Sequence, residues 1–513
     1  MVVNRKTSRL RAQNNNTIVV GAGVAGLSAA IALAAAGSRV SVCESASRAG
    51  GKIRAWRKGR TVVDVGPTVF TMPWVFDELL AAAGTDLEAE VRLEPLDVLA
   101  HHRWPDGSEL NLYADHARTL DAIGDFAGRS AVGQYESFCR QSQHVFDALR
   151  DTFLTRSQPG LVGLIRNCGV ARIGKLSRLQ PFRTLWEALE SQFDDPRLRQ
   201  LFGRYATYCG SSPFEAPATL MLIAHVERLG VWQLDGGITA LAEALERIAL
   251  RLGVVFEYGC RVRRISVDGN RAVGVELDNG RQIAANSVIV TADTNALASG
   301  ALGDEARDAV APTPPGERSL SAITWAGTAR VDSDALACHT VAFSADYAAE
   351  FRHLFGSRTL PVQPTVYLHL PDRKALAKPG NRERVFILIN APADGDSSAS
   401  ADRRSASAAV KRQLEACGIV LRSGLDRLDI TGPDDFHRRF PATGGALYGP
   451  AMHGWRAAFR RPGNRTPVAG LYVAGGSVHP GAGVPMAALS GRLAAQCLVD
   501  DGYGRRPAAR AVS

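Results

Sequence analysis

Residues 17–44 read TIVVGAGVAGLSAAIALAAAGSRVSVCE, and the rest of the chain is organised around them. Thr17-Ile18-Val19-Val20 is β-branched and closed by glycine, the pattern of a short buried strand. An alanine-rich apolar helix over 27–36 stops at Gly37, and residues 39–43 predict a second strand with Glu44 at its end. The GAGVAG link carries the chemistry. Gly21 permits the tight strand-to-helix turn, Gly23 lets the backbone approach a pyrophosphate, and Gly26 lets helix and strand pack closely. The helix N-terminus offers unpaired N–H groups and a positive dipole end to that pyrophosphate. Glu44 is placed to accept from a ribose hydroxyl and to repel a 2′-phosphate.

A glycine-rich turn in an ordinary α/β core would show the glycines alone. Here strand, helix, second strand and terminal acid arrive in order. A membrane span would also explain the uncharged run over 17–38, but three glycines at turn spacing and a β-type start argue against it. The residues specify a dinucleotide site.

Downstream, Arg48-Ala49-Gly50-Gly51-Lys52 pairs two glycines with a base, which would bring backbone and ammonium to the same phosphates. A strand over 61–65 and the turn Gly66-Pro67-Thr68 follow. Gly236-Gly237 opens another helix, with Leu241, Leu245, Ile248 and Leu252 on one face and Gly253 as its stop. Short strands over 254–256, 262–267 and 272–277, turns at Asp268-Gly269 and Asn279-Gly280, and a buried strand over 287–291 would extend the nucleotide domain. Near the C-terminus a strand over 471–474 leads into GGSVHPGAGVP and a helix over 486–498, with Pro485 suited to its first turn. A helix N-terminus aimed at the pyrimidine end of a flavin would stabilise the anion formed on reduction.

Between these pieces, 76–230 reads as mostly helical. Seven Arg or Lys residues between positions 150 and 183 face one acid, Asp151, and are interleaved with Leu161, Ile165, Leu176, Trp186 and other apolar side chains. Such a segment can lie in a membrane interface with its cations outward, or present a solvated face over an ordinary core. Residues 318–440 look like a separate α+β unit, with strands over 320–325, 341–344, 365–370 and 385–390 and a Ser/Ala/Asp-rich loop over 393–407 leading into a helix. Its His339, His353 and His369 show no metal-ligand spacing, so each is expected to be exposed or satisfied, and no metal is expected.

The 513 residues leave room for three domains or two larger ones, and 46% hydrophobic content is ordinary for a soluble globular protein. Eight cysteines without a CxxC suit neither a zinc site nor a disulfide framework, so a reducing cytoplasm is expected. The net charge of +9 comes with no nucleic-acid-binding module, which leaves an anionic membrane surface as the better partner. Residues 1–16 carry Arg5, Lys6, Arg9 and Arg11 without an apolar core and are no secretory signal; they and 501–513 are expected to be disordered tails.

Taken together, GAGVAGLSAAIALAAAG, ESASRAGGK, DVGPTVF, YCGSSPFEAPATL, GVWQLDGGITALAEAL and YVAGGSVHPGAGVP make the chain resemble the FAD-containing carotenoid desaturases of the bacterial phytoene desaturase type. These motifs run from 17 to 498. The runs GPTVFTMPWVFDELLAAAG, GGALYGPAMHGW and GGSVHPGAGVPMAALSGRLAAQCLV look most like hydroxyneurosporene (1-hydroxycarotenoid) 3,4-desaturases, also called methoxyneurosporene dehydrogenases. The resemblance implies an α/β protein of flavin amine oxidase type. Its Rossmann-like FAD-binding domain would be discontinuous, over 17–110, 231–300 and 465–500. A helical substrate and membrane region would occupy 111–230 and an α+β substrate domain 301–464.

By the same resemblance Gly21, Ala22, Gly23, Ala25, Gly26, Glu44, Gly51 and Lys52 would bind the ADP half and diphosphate of FAD. The Val262 backbone would flank the adenine, and Gly475, Val484, Pro485 and Met486 the flavin end. Many relatives place an Asp where this chain has Gly476, so ribitol recognition would rest on backbone or on Ser477. The implied reaction removes a hydride and a proton from adjacent saturated carbons of an apolar polyene, the protein positioning the chain and excluding water. His479, beside the flavin end, is the candidate proton acceptor, against a plainer role as a structural loop histidine. The implied location is cytoplasmic, peripheral to the inner membrane, with oxygen or a quinone as electron acceptor. Other readings are a general phytoene desaturase, an amine oxidase-like oxidoreductase and a prenyl-lipid-binding escort. The second would want an aromatic cage before the flavin, and no clear pair stands in the C-terminal stretch; the third would have a degenerate glycine fingerprint.

Overall fold

The computed structural model describes residues 16–157, 182–333, 336–373, 382–397, 402–422 and 424–503. The expected tails up to 15 and beyond 503, and the centre of the basic segment at 158–181, lie outside the described residues. Two larger sheets organise the described chain.

The first is parallel and five-stranded, in the order Leu471–Val473, Ser287–Val290, Asn16–Val20, Arg39–Cys43, Val255–Glu257. Three distant stretches of chain therefore build one nucleotide-type sheet. Its strands Asn16–Val20, Ser287–Val290 and Leu471–Val473 are buried on both faces, which is why they read as continuous apolar runs rather than as alternating ones, whereas Val255 on the edge strand is exposed. The helix Val24–Ala35 crosses the C-terminal helix Val484–Asp500 at backbone contact: a Cβ on Gly491 would stand 2.1 Å from the Ala25 carbonyl oxygen. The helix Thr239–Arg251 packs on the same core with Leu241, Leu245 and Ile248 inward. A three-stranded antiparallel meander, Val262–Asp268, Arg271–Leu277 and Gln282–Ala284, lies alongside. Its first turn is centred on Gly269 and Asn270, both at positive φ, one residue later than the Asp268-Gly269 pair expected from sequence.

The second sheet has seven strands, in the order Asp429–Thr431, Ser321–Ala329, Glu383–Ala391, Val366–His369, His339–Ala342, Val98–Arg103, Glu109–Tyr113. Only the step from His339–Ala342 to Val98–Arg103 is parallel. Here the sequence reading needs correction twice. The run 76–230 is not mostly helical throughout, since strands occupy much of 93–113. Those at 98–113 join the second sheet although 98–110 had been assigned to the nucleotide domain. Val98–Arg103 is buried at every position, so no alternation marked it as a strand. The helices beyond it close over an aromatic core of Phe138, Phe193, Phe202 and Tyr205.

Residues 501–503, expected to belong to a tail, are held by hydrogen bonds. The Tyr503 N–H donates to Leu498 O at 3.0 Å, and Asp501 accepts from Arg465 and from the Tyr472 hydroxyl.

Candidate active site

The glycines of the first turn are spent as their spacing predicts. Gly21 has φ +103, and a Cβ there would stand 2.7 Å from Thr291 Oγ1. At Gly26 a Cβ would stand 2.0 Å from the Gly21 carbonyl oxygen, so helix and turn touch through backbone alone. Gly23 is the contrast: beyond Gly51 Cα at 3.8 Å its Cβ position meets nothing, which leaves the approach to the helix N-terminus open. The Gly50 N–H donates to Ala22 O at 2.9 Å, which lays the second glycine pair beside the first.

Glu44 is buried at the end of the second strand. Its Oε2 accepts from the Ala22 N–H and its Oε1 from the Ala46 N–H, both at 2.7 Å. Oε1 also accepts from the Ser45 hydroxyl at 3.2 Å, while Oε2 keeps a second lone pair for a ribose hydroxyl. The Cys260 N–H donates to Glu44 O at 2.9 Å, which brings the segment entering Val262 to the same place. Gly21, Ala22, Gly23, Ala25, Gly26, Glu44, Gly51 and Val262 are thus gathered round one sheet edge.

Lys52 lies between the two sheets and donates from Nζ to Leu447 O at 2.5 Å. Burial lowers its pKa, with Asp293 opposing and Arg461 adding to the shift. Arg461 is a buried cation of this region that the sequence reading does not single out. It is buried and donates to the Gly476, Tyr448 and Pro450 carbonyls, stitching the C-terminal crossing to the loop before it. Burial lowers its pKa too. Among the described residues neither cation pairs with a carboxylate. Two buried positive charges held by carbonyl oxygens suit an anionic group such as a diphosphate. Nothing in the Arg460-Arg461-Pro462 run distinguishes the second arginine from a surface one.

At the other end, Gly475 takes φ +126 and its N–H donates to Ser490 Oγ at 3.0 Å. Gly483, at φ +120, precedes the helix opened by Val484, Pro485 and Met486, whose first N–H groups have no intrahelical acceptor. Of the two groups expected to meet a ribitol, Ser477 has its Oγ accepting from the Thr294 N–H at 3.0 Å and lies beneath Gly449.

His479 also departs from its expected role. Its ring is buried edge-on against Phe153, and Nε2 donates to Phe153 O at 2.9 Å and Arg156 O at 2.8 Å. Burial lowers its pKa to about 4. A neutral ring committed to two carbonyls fastens the loop to the segment after residue 150; it is not presented as a proton acceptor.

A cavity of about 240 Å³ lies between the Asp64–Thr68 stretch, the Trp232–Ile238 stretch and the second sheet. It shares none of the residues of the dinucleotide cradle. Gly66 joins the two, since a Cβ there would stand 2.1 Å from the Lys52 carbonyl oxygen. In its wall Thr68 Oγ1, the Tyr367 hydroxyl and His339 Nδ1 form a chain with 2.7 Å at each link. His339 and His369 face each other across paired strands with rings stacked at 5.2 Å. Burial lowers both pKa values, His339 to about 3, so both rings are neutral at neutral pH. His353 is satisfied by Thr359, as expected. His369 is not, because its buried Nδ1 has no partner among the described residues. With Cys338 the two histidines also place three metal-type donor atoms within 4.8 Å of one another, a grouping that chain spacing concealed because the residues come from two strands.

A fold with a discontinuous parallel sheet, an intact dinucleotide cradle and a second sheet over it defines a flavoprotein oxidoreductase. A family model described as flavin containing amine oxidoreductase matches residues 24–499, and the chain belongs to that family, with FAD as its cofactor. The hydroxyneurosporene desaturase of Rubrivivax gelatinosus is 46% identical over 493 residues, covering 95% of this chain and 94% of that protein. The 1-hydroxycarotenoid 3,4-desaturase of a Flavobacterium species is 30% identical over 493 residues, covering 94% and 98%. Among solved structures, putrescine oxidase bound to putrescine matches with a TM-score of 0.58 at 16% identity, covering 94% of this chain and 99% of that one. That likeness is one of fold.

Proposed function

We propose that the chain dehydrogenates an acyclic carotenoid, a 1-hydroxylated one at its C3–C4 bond. The observation that carries this reading is the near full-length similarity to hydroxyneurosporene desaturase, on a chain whose dinucleotide cradle is complete. Bound FAD would supply the hydride acceptor that the reaction requires. The chain's own residues hold the cofactor and the polyene. Gly23 and Gly51 would leave room for the diphosphate, Lys52 and Arg461 would supply positive charge to it, and Glu44 would receive the ribose. A polyene has few polar handles, so its binding rests on apolar burial worth about 0.8 kcal/mol per methylene.

The test offers 1-hydroxyneurosporene, neurosporene and phytoene to the FAD-loaded protein with membranes. A new double bond in conjugation moves the absorbance to longer wavelength, with the hydroxylated substrate turned over fastest. Preferred turnover of phytoene would make the protein a general phytoene desaturase; turnover of no polyene would leave the flavoprotein fold alone.

Peripheral membrane binding belongs to the same reading. Phe182 is 76% exposed and stacks edge-on with half-exposed Trp455 at 5.4 Å, while the Arg456 guanidinium lies over the Trp455 ring. An exposed aromatic pair beside cations, on a chain of net charge +9, suits an anionic bilayer surface from which the substrate would be drawn. Among the described residues no helix is long and apolar enough to cross a membrane. A quinone in that bilayer is the electron acceptor this placement favours over oxygen.

A further inference from the structure

Three of the residues lining the 240 Å³ cavity carry a buried side-chain atom without a hydrogen-bond partner among the described residues: Asp64 Oδ1, Gln233 Oε1 and His369 Nδ1. Buried polar atoms are nearly always paired, and leaving one unpaired costs about 1–3 kcal/mol. Three in one cavity wall mark a place where a polar group from outside completes the bonding. The cavity is too small for a whole C40 chain and large enough for the branched end of one. Its lining is polar, with Asp64, Thr68, Gln233, His339 and His369 facing it. Such a wall is wrong for a hydrocarbon terminus and right for a hydroxylated one.

We propose that this cavity receives the hydroxyl-bearing end of the polyene, and that His369 reads the hydroxyl. This rests on the desaturase reading above. The stacked neighbour His339 is already engaged through Nδ1 with Tyr367, whose hydroxyl is in turn engaged with Thr68. His369 is the member of the pair with an unfilled nitrogen, 4% exposed, on a central strand that holds it still. A hydroxyl donates and accepts, so it matches either tautomer of a neutral imidazole. Covalent geometry sets a condition on the location. In a 1-hydroxylated chain the oxygen lies three bonds from C3, at about 1.5 Å per bond. The group that binds the hydroxyl must therefore stand close to the reacting carbons. Gly66 packs the cavity's own Asp64–Thr68 wall against Lys52 of the cofactor cradle.

The test compares kcat/KM for 1-hydroxyneurosporene and neurosporene in the wild type, His369→Leu and His369→Asn. The expected result is a preference for the hydroxylated substrate that falls about ten- to a hundredfold in His369→Leu and is largely kept in His369→Asn, which retains a polar atom near Nδ1. A merely structural role for His369 would lower both rates and leave their ratio alone. That outcome overturns the assignment and leaves the desaturase reading standing. Wild-type protein that turns over neither polyene overturns both. Should the leucine variant fail to fold, short acyclic fragments decide on wild-type protein. A 1-hydroxylated fragment should inhibit at least about tenfold better than its deoxy counterpart, and equal inhibition overturns the proposal. Stoichiometric Zn²⁺ binding that is lost in both Cys338→Ser and His369→Asn would assign the unfilled nitrogen to a metal and also overturn it.

Discussion

Gly51 rests on Gly23: a Cβ on Gly51 would stand 2.9 Å from the Gly23 Cα, and Gly51 itself takes φ +59. The two glycine motifs are thus one cradle, each keeping the other's approach clear. Gly23→Val should fill the space left for the diphosphate, and Gly51→Ala should push the two loops apart. Both should weaken FAD binding at least about tenfold, equivalent to about 1.4 kcal/mol. Flavin absorbance retained after desalting, titrated against added FAD, measures this. Normal affinity in Gly23→Val would remove the cradle from the cofactor site.

Glu44 holds the turn as well as the ribose. Glu44→Ala should strand the Ala22 N–H, which Oε2 now accepts at 2.7 Å. The protein without FAD should lose about 1–3 kcal/mol of stability, read as a lower urea midpoint. An unchanged midpoint would confine Glu44 to the ligand.

Glu350 is buried between Ser344 and Thr365, and burial raises its carboxyl pKa from 4.5 to about 7, against the hydrogen bonds from both neighbours. The folded state therefore keeps this proton to higher pH than the unfolded chain. Its contribution is fully present below pH 4.5 and is lost as the pH rises to about 7. Glu350→Gln should remove that slope, shifting relative stability in the variant's favour by on the order of 2 kcal/mol between pH 5 and pH 8. Urea midpoints at the two pH values decide it; parallel changes in both proteins would count against a titrating Glu350.

His479 has the opposite sign. Its pKa is lowered from 6.5 to about 4 by burial, so its contribution is present above pH 6.5 and is lost as the pH falls through about 4. His479→Gln, which can still donate to the Phe153 and Arg156 carbonyls, should be less acid-sensitive than the wild type. The acid limb of the kcat–pH profile should not move. Loss of that limb would restore the residue as a proton acceptor.

Phe182 and Trp455 predict a membrane contact. Replacing both by serine should reduce flotation with anionic liposomes several-fold, and salt should weaken what binding remains. Undiminished flotation would move the interface to another face.

The dinucleotide cradle was legible because its information is local. Strand, turn, helix, second strand and acid all fall within residues 17–44, and their roles follow from backbone sterics and hydrogen bonding over a few residues. The same holds for the Gly50-Gly51-Lys52 loop and for the glycine crossing that ends at Pro485. Strands 98–103 and 109–113 were not legible. The first is fully buried and has no alternation to show; the second alternates but is only five residues long, and membership of a sheet depends on partners far along the chain.

By itself the sequence determined that this chain binds a dinucleotide at its N-terminal βαβ unit and resembles carotenoid desaturases from end to end. Only the tertiary structure decided which side chains share a site. Arg461 became a buried cation of the crossing because loops at 447–452 and 475–483 fold round it. His479, well placed in sequence, was drawn away from chemistry by two carbonyls more than 300 residues distant. His369 acquired its unfilled nitrogen because pairing of two strands brought His339 and Tyr367 together beside it. Pairing across long loops sets these contacts, and no local periodicity encodes them.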